Sequence, residues 1–180
     1  MKNFFNKMKG GGRSPPRVGV SEIFWSWIGS FLGIAAVAYI TYGFLEKTDL
    51  TLIIGSFGAS AVLIYAAITS PLAQPRNLIG GHIISAIVGV ACYRGFNETS
   101  MWIASALSVS LAIVAMLITK TLHPPGGATA LIAVIGSNKI HSLGYLYALI
   151  PAGLGAFIML IVALITNNLA KKRRYPEYWL

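Results

Sequence analysis

Hydroxyl and imidazole side chains stand beside glycine and proline at two places in the chain. The first is 55–58, followed closely by Ser60, and the second is 120–129, in which His123 precedes two prolines and two glycines and Thr129 ends the run. Proline cannot continue a helix but can open one, and glycine lets other groups approach the backbone. A helix start carries unpaired N–H donors and a positive dipole end, which suits a small anion. Each place predicts such a start.

The two predicted helix starts belong to half-helices inserted from opposite sides, so we expect them to meet near the middle of a membrane. There they would bind a small inorganic, monovalent anion. The predicted binding residues are Ser56, Gly58, Ala59, Ser60, His123, Gly126, Gly127, Ala128 and Thr129. The alternative interpretation of the same small residues is close helix packing.

The acidic residues all fall at the ends of apolar runs or in the flanks, which disfavours a cation substrate. They are Glu22, Glu46, Asp49, Glu98 and Glu177. Without a mid-span carboxylate, His82 and His123 are the candidate proton carriers. His123 has a second interpretation, as a cap for backbone carbonyls freed by the prolines.

A metal site built from His82 and His123 lacks any HxxxH or CxxC spacing, so neither a metal nor a cofactor is expected. Arg76 has two open interpretations. It is either an electrostatic guide for anions at the cytoplasmic mouth or an interfacial anchor. A carboxylate pair, an activated nucleophile and a metal set are all missing from the sequence, so an enzyme is not expected.

The composition indicates a membrane protein that lies in a lipid bilayer. Of the 180 residues, 56% are hydrophobic and only 11% are charged, and the mean hydropathy is +0.70. A soluble domain carries about a quarter charged residues. The net charge of +9 comes mainly from basic clusters that flank the apolar runs, which is a topology signal and not a nucleic-acid footprint.

Apolar runs divide the chain into six segments: 23–45, 50–75, 77–93, 99–119, 121–138 and 140–170. Six crossings place eleven basic residues on one side and three on the other, so both termini should be cytoplasmic. A four-crossing alternative lets 50–75 and 121–138 only dip into the membrane. We expect a flexible basic arm at 1–20, a transmembrane domain at 21–170 and a basic tail at 171–180.

Segment 58–64 resembles segment 127–133, and similar stretches precede and follow each of them. The chain therefore predicts an all-α helical bundle of two inverted three-segment repeats, about 23–95 and 99–168, with two short half-helices. Because six short spans make a small body, a homo-oligomer is expected.

The motifs 123–130, 58–61 and 71–77 together resemble the HPP family of integral membrane proteins, over about 25–166. The resemblance implies a nitrite-type anion transporter, and a family usually described with four membrane spans. The sequence shows neither room for a fused soluble domain nor a Ser-rich plastid transit segment, which favours a bacterial plasma membrane. A passive anion channel and a non-transporting membrane scaffold remain the alternatives.

Overall fold

The computed structural model describes residues 7–8, 14–43, 45, 47–96 and 100–180. Much of the predicted N-terminal arm, namely 1–6 and 9–13, lies outside the described residues. The described part of the chain is helical and contains no strand. The prediction of an all-α membrane protein is confirmed.

The helices follow the predicted apolar runs. They are α1 (Val20–Tyr42), α2 (Lys47–Ala61, prolonged by a π-helical turn at Val62–Ala66), α3 (Pro75–Gly95), α4 (Met101–Thr119), α5 (Pro125–Ile135), α6 (Asn138–Leu143) and α7 (Leu154–Leu169). In the described part of the chain, five helical segments are long and apolar enough to cross a membrane, and α5 is a shorter apolar helix. The backbone between α6 and α7 is broken at Ile150, which is extended.

The start of α1 and the segment after α7 lie at the same face of the bundle. Arg173 forms an ion pair with Glu22, with 2.8 Å between Nε and Oε2. We call this face the inner face and the opposite one the outer face. An even number of crossings requires this arrangement. That the inner face is cytoplasmic stays a prediction.

Helix α5 is the half-helix that two prolines and two glycines predict. Its 11 residues rise about 16 Å, half of a hydrocarbon core. Before it, the chain runs beside the first turns of α3, where Asn77 Nδ2 donates to the carbonyl of Leu122 at 2.8 Å. After it, the backbone N–H of Ser137 donates to Asp49 at the outer end of α2, at 2.9 Å. Segment 120–135 therefore connects the two faces.

The second predicted half-helix is wrong, because α2 continues without a break through Gly55 and Gly58. A helical glycine costs about 1 kcal/mol relative to alanine, whereas each unpaired backbone group in lipid costs several. The helix ends further on, before the linker 67–74, which contains Pro71 and is followed by Pro75 at the start of α3. The described part of the chain therefore contains one of the two predicted half-helices, and the inverted repeat, which was predicted from the resemblance of segments 58–64 and 127–133, stays a prediction.

Helix α5 packs closely against α3. A Cβ atom added to Gly89 would lie 2.8 Å from the Cα of Ala130. Only glycine allows this approach. The same interface holds Gly126, where an added Cβ would lie 2.9 Å from the carbonyl oxygen of Gly81. The short helix is thus held at a fixed depth by backbone contact with a full-length one.

A buried hydroxyl and imidazole cluster as the candidate site

Five polar side chains meet at the start of α5. Ser56 and Ser60 come from α2, His82 from α3, Thr129 from α5, and His123 from the turn before α5. Each of the five is at most 3% exposed. We call these five residues the polar centre.

The side chains of the polar centre form a continuous hydrogen-bonded chain. Thr129 Oγ1 lies 2.7 Å from Nδ1 of His82. Nε2 of His82 lies 2.9 Å from Ser60 Oγ, and the same hydroxyl lies 2.9 Å from Nε2 of His123. One serine therefore joins two buried imidazoles.

Both ends of this chain finish on backbone carbonyls. Ser56 Oγ lies 3.0 Å from both Thr129 Oγ1 and the carbonyl oxygen of Pro125, and its single proton can be donated to either. At the other end, Nδ1 of His123 lies 2.8 Å from the carbonyl of Leu72, in the linker between α2 and α3. His123 thus bonds a carbonyl of this linker and not one freed by its own prolines.

Helical periodicity decides which of the predicted residues of α2 reach the centre. Ser56 and Ser60 are four residues apart and share a face. Gly58 and Ala59 lie on other faces. Gly58 is half-buried beside α1, and Ala59 is exposed on the surface of the bundle. The structure does not bring these two residues to the polar centre.

The same rule divides the predicted residues of α5. Gly126 is buried against α3, whereas Gly127 is half-buried near Val109 of α4 and Ala128 is exposed. The backbone N–H of Gly126 donates to the carbonyl of His123 at 2.8 Å, and that of Gly127 to the carbonyl of Pro124 at 3.0 Å. These two donors, which were predicted to hold an anion, are engaged by the turn before α5 in this conformation.

Arg76 lies at the inner end of α3, outside the polar centre. Its Nη2 donates to the carbonyl of Thr119, the last residue of α4, at 2.9 Å. A cation at a helix C-terminus stabilises the helix dipole. The contact fits the anchor interpretation of Arg76, and its role as a guide for anions stays a prediction.

The polar centre has no room for an anion as it stands. The cavity beside Ser56 and Thr129 measures about 10 Å³, enough for one water at most. Phe57 covers His82 with 4.9 Å between ring centroids, and Tyr147 donates to the carbonyl of Thr129 at 3.1 Å. Throughout the described residues, every buried side-chain nitrogen and oxygen has a hydrogen-bond partner. The conformation is closed.

Where the chain is described, no three His, Cys, Asp or Glu side chains are grouped as a metal ion would need. The two Nε2 atoms that would be the obvious ligands both face the hydroxyl of Ser60. The imidazole and hydroxyl groups of the polar centre are hydrogen-bonded to one another, so they are arranged as donors and acceptors of protons and not as ligands around a metal ion.

Sequence reasoning named all five residues of the polar centre but missed what surrounds them. It did not identify Tyr147, which lies outside the motifs, or the backbone carbonyl of Leu72, because the motif 71–77 does not show which carbonyl faces His123. A helical-wheel projection of α2 and α5 would have separated Ser56 and Ser60 from their neighbours.

Comparison with known proteins agrees with the motifs. Residues 15–176 match the family described as HPP, transmembrane region. The chain belongs to the HPP family. It is 48% identical over 178 residues to a protein from Dictyostelium discoideum, covering 98% of this chain and 57% of the relative. A second protein from that organism is 46% identical over 180 residues, covering 98% of this chain and 63% of the relative.

Both relatives are named only as transmembrane proteins, and the chain spans about three fifths of their length. No solved structure matches the chain. Family membership and the apolar helices together make this a multi-pass membrane protein.

Proposed function

We propose that this HPP-family chain transports a small monovalent anion, with nitrite as the first candidate, through the polar centre. Polar side chains deep in a membrane are rare and usually lie on a substrate or proton path. The resemblance of the motifs to a family that includes nitrite carriers supports the choice of anion. Because the relatives' names state no substrate, the substrate is part of the proposal.

The half-helix α5 is the observation on which the proposal depends. Its first residue, Pro125, contacts Ser56 in the middle of α2, so the positive end of its dipole lies near mid-depth. If the turn at His123 and Pro124 moved, the N–H groups of Gly126 and Gly127 would be freed beside the hydroxyls of Ser56 and Thr129. Backbone and hydroxyl donors of this kind bind anions.

The described acidic side chains with assigned contacts lie at the two faces. Asp49 accepts hydrogen bonds from Ser137 at the outer face, and Glu22 pairs with Arg173 at the inner face. The polar centre itself is built from hydroxyls and imidazoles without a carboxylate. This set of groups favours an anion over a cation.

The closed conformation favours a carrier over a passive channel. A channel needs a continuous open path, whereas the cavity here holds about one water and is covered by Phe57 and Tyr147. A carrier alternates between conformations that open to one face at a time, and an occluded state belongs to that cycle.

A non-transporting membrane scaffold is the second candidate. The observation in its favour is the complete hydrogen bonding of the polar centre, which a purely structural network would also show. For either candidate we propose a plasma-membrane location with cytoplasmic termini, no enzymatic activity and no nucleic-acid partner.

Purified protein in proteoliposomes distinguishes the candidates. Nitrite, nitrate, formate and chloride are offered in turn, with protein-free vesicles as the control for uncatalysed permeation. A carrier gives saturable nitrite uptake and counterflow, in which internal unlabelled nitrite accelerates uptake of the labelled ion. Flux that stays ohmic to high concentration identifies a channel. Flux equal to that of protein-free vesicles for every anion rules out transport and leaves the scaffold.

A further inference from the structure

The donors and acceptors of the polar centre have a fixed order when both imidazoles are neutral. The carbonyl of Leu72 can only accept, so Nδ1 of His123 carries the proton and its Nε2 is an acceptor. Ser60 must donate to that Nε2, because otherwise two lone pairs would face each other at 2.9 Å.

The order continues into α3 and α5. Since the proton of Ser60 is used on His123, its oxygen accepts from Nε2–H of His82. Nδ1 of His82 is then an acceptor, and the hydroxyl of Thr129 donates to it. The two imidazoles therefore hold opposite tautomers, His82 protonated at Nε2 and His123 at Nδ1.

One added proton reverses the three bonds that join Thr129, His82, Ser60 and His123. A proton taken up by the oxygen of Thr129 displaces its own proton to Nδ1 of His82. Nε2 of His82 passes its proton to Ser60, and Ser60 passes its proton to Nε2 of His123. One proton has arrived at Thr129, His123 carries one more proton and a positive charge, and no atom has moved further than a hydrogen bond.

We propose that the polar centre relays one proton in this way from the cavity beside Ser56 to His123, and that this proton crosses the membrane together with the anion. The inference rests on the proposed transport function and adds a proton as its co-substrate. The cavity has room for the water that would deliver the proton to Ser56 or Thr129. Positive charge on His123 strengthens anion binding nearby, and its loss favours release.

The inner end of the relay is closed in this conformation. A proton can leave His123 toward the inner face only from Nδ1, which is bound to the carbonyl of Leu72. The linker 67–74 must therefore move before the proton is released. Such a gate prevents a proton leak while the anion site is closed, and coupling requires this.

The other titratable groups around the polar centre are engaged elsewhere. On the outer side, the hydroxyl of Tyr147 donates to the carbonyl of Thr129, and Asp49 bonds Ser137. On the inner side, Arg76 bonds the carbonyl of Thr119 and Tyr175 bonds the carbonyl of Ala73. Tyr65 donates to the carbonyl of Met159, and Arg173 pairs with Glu22 at the inner face. Within the described residues, none of these side chains hydrogen-bonds an imidazole nitrogen of the centre.

Nitrite-driven acidification of proteoliposomes tests the relay. A pH-sensitive dye in the lumen reports protons while labelled nitrite is counted, and protein-free vesicles correct for permeation of nitrous acid. The wild type should acidify the lumen in proportion to nitrite uptake, one proton for each anion. Thr129→Val keeps the shape of the side chain but lacks the hydroxyl, so acidification should fall at least about tenfold. Thr129→Ser restores the hydroxyl and should restore acidification.

Ser108→Ala is the matched control, because Ser108 is a buried hydroxyl of α4 that bonds only its own helix, at the carbonyl of Ser105. It should behave as the wild type. If Thr129→Val does not fold, His123→Gln replaces it, and its nitrite uptake should lose its dependence on pH while some basal flux remains.

Nitrite uptake by the wild type without acidification above protein-free vesicles overturns the relay and leaves the anion transporter standing. Wild-type acidification by Thr129→Val, or a wild-type pH profile in His123→Gln, also overturns it. Absence of any anion flux overturns the proposed function instead, and the coupling with it.

Discussion

Ser60 connects the two buried histidines into one hydrogen-bond network. It sits on α2 with no exposed surface, and its hydroxyl lies 2.9 Å from an Nε2 atom on each side. A hydroxyl can donate once and accept twice, so Ser60 transmits to His82 the direction that the carbonyl of Leu72 sets at His123.

Solid-state ¹⁵N nuclear magnetic resonance of histidine-labelled protein measures these tautomers. At a pH where both rings are neutral, we expect His82 to carry its proton on Nε2 and His123 on Nδ1. The chain has a third histidine, His141, so His82→Gln and His123→Gln are used to assign the signals of the two rings in the polar centre. The same tautomer for both rings would contradict the order of donors derived above.

At the scale of residues, the sequence predicts the members of the polar centre but not its geometry. Ser56, Ser60, His82, His123 and Thr129 are recognisable because polar side chains are rare in apolar runs. Their bonds could not be predicted, since residues from α2 and α5 that touch are about 70 positions apart in the chain. Long-range contacts of this kind leave no local signal in a single sequence.

Among the helices, α5 shows that consecutive prolines determine where a helix starts, and α2 shows that glycine by itself does not interrupt a helix. Two consecutive prolines and the glycines after them start α5 because proline lacks an N–H donor and disrupts the preceding turn. Gly55 and Gly58 do not interrupt α2, because the membrane penalises open backbone groups more strongly than a helical glycine does. Glycine alone was therefore an unreliable sign of a half-helix.

Two alanine substitutions test this account of glycine. Gly89→Ala places a methyl group against the backbone of Ala130, so we expect a loss of about 1–3 kcal/mol in stability. Gly55→Ala has nothing within 4 Å of the new methyl group, and its stability should be unchanged or gain up to about 1 kcal/mol. Thermal unfolding in detergent compares the two. Equal midpoints for both variants would show that α3 and α5 are not held by this contact.

On the scale of the whole molecule, the segment after α7 closes the inner face. The guanidinium of Arg173 donates to Glu22, Ser26, Asn167 and the carbonyl of Tyr65, at 2.7–3.0 Å. The hydroxyl of Tyr175 donates to the carbonyl of Ala73, in the same linker that holds Leu72, at 2.7 Å. A tyrosine is protonated at neutral pH, and burial raises the pKa of Tyr175 further, so this phenol stays a donor at alkaline pH as well. The residues predicted as a basic tail are thus partly docked.

Arg173→Gln should release this segment, because it leaves buried acceptors without a donor, at a cost of about 1–3 kcal/mol each. We expect trypsin to cleave faster after Lys171 and Lys172, and mass spectrometry of the products over time measures the rate. Arg174→Gln is the matched control, since Arg174 is exposed, and it should be cleaved as the wild type is. Equal cleavage of the two variants would mean that Arg173 does not hold the segment.

We expect the chain to form a homo-oligomer. The bundle is small for a membrane protein, at 19.2 kDa, and aromatic side chains such as Trp27, Phe31 and Trp102 are exposed on its flanks. Light scattering corrected for detergent should give a mass that is a multiple of the chain mass. A monomeric mass at all protein concentrations would refute the prediction.

Nitrite uptake by two variants, each lacking one buried serine hydroxyl, tests directly whether the anion passes through the polar centre. Ser60→Ala breaks the polar centre, and Ser108→Ala removes a hydroxyl of equal burial on α4. With both variants folded and reconstituted at equal density, the initial rate should fall at least about tenfold for Ser60→Ala and stay at the wild-type value for Ser108→Ala. Wild-type uptake by Ser60→Ala would contradict the claim that the anion passes through the polar centre.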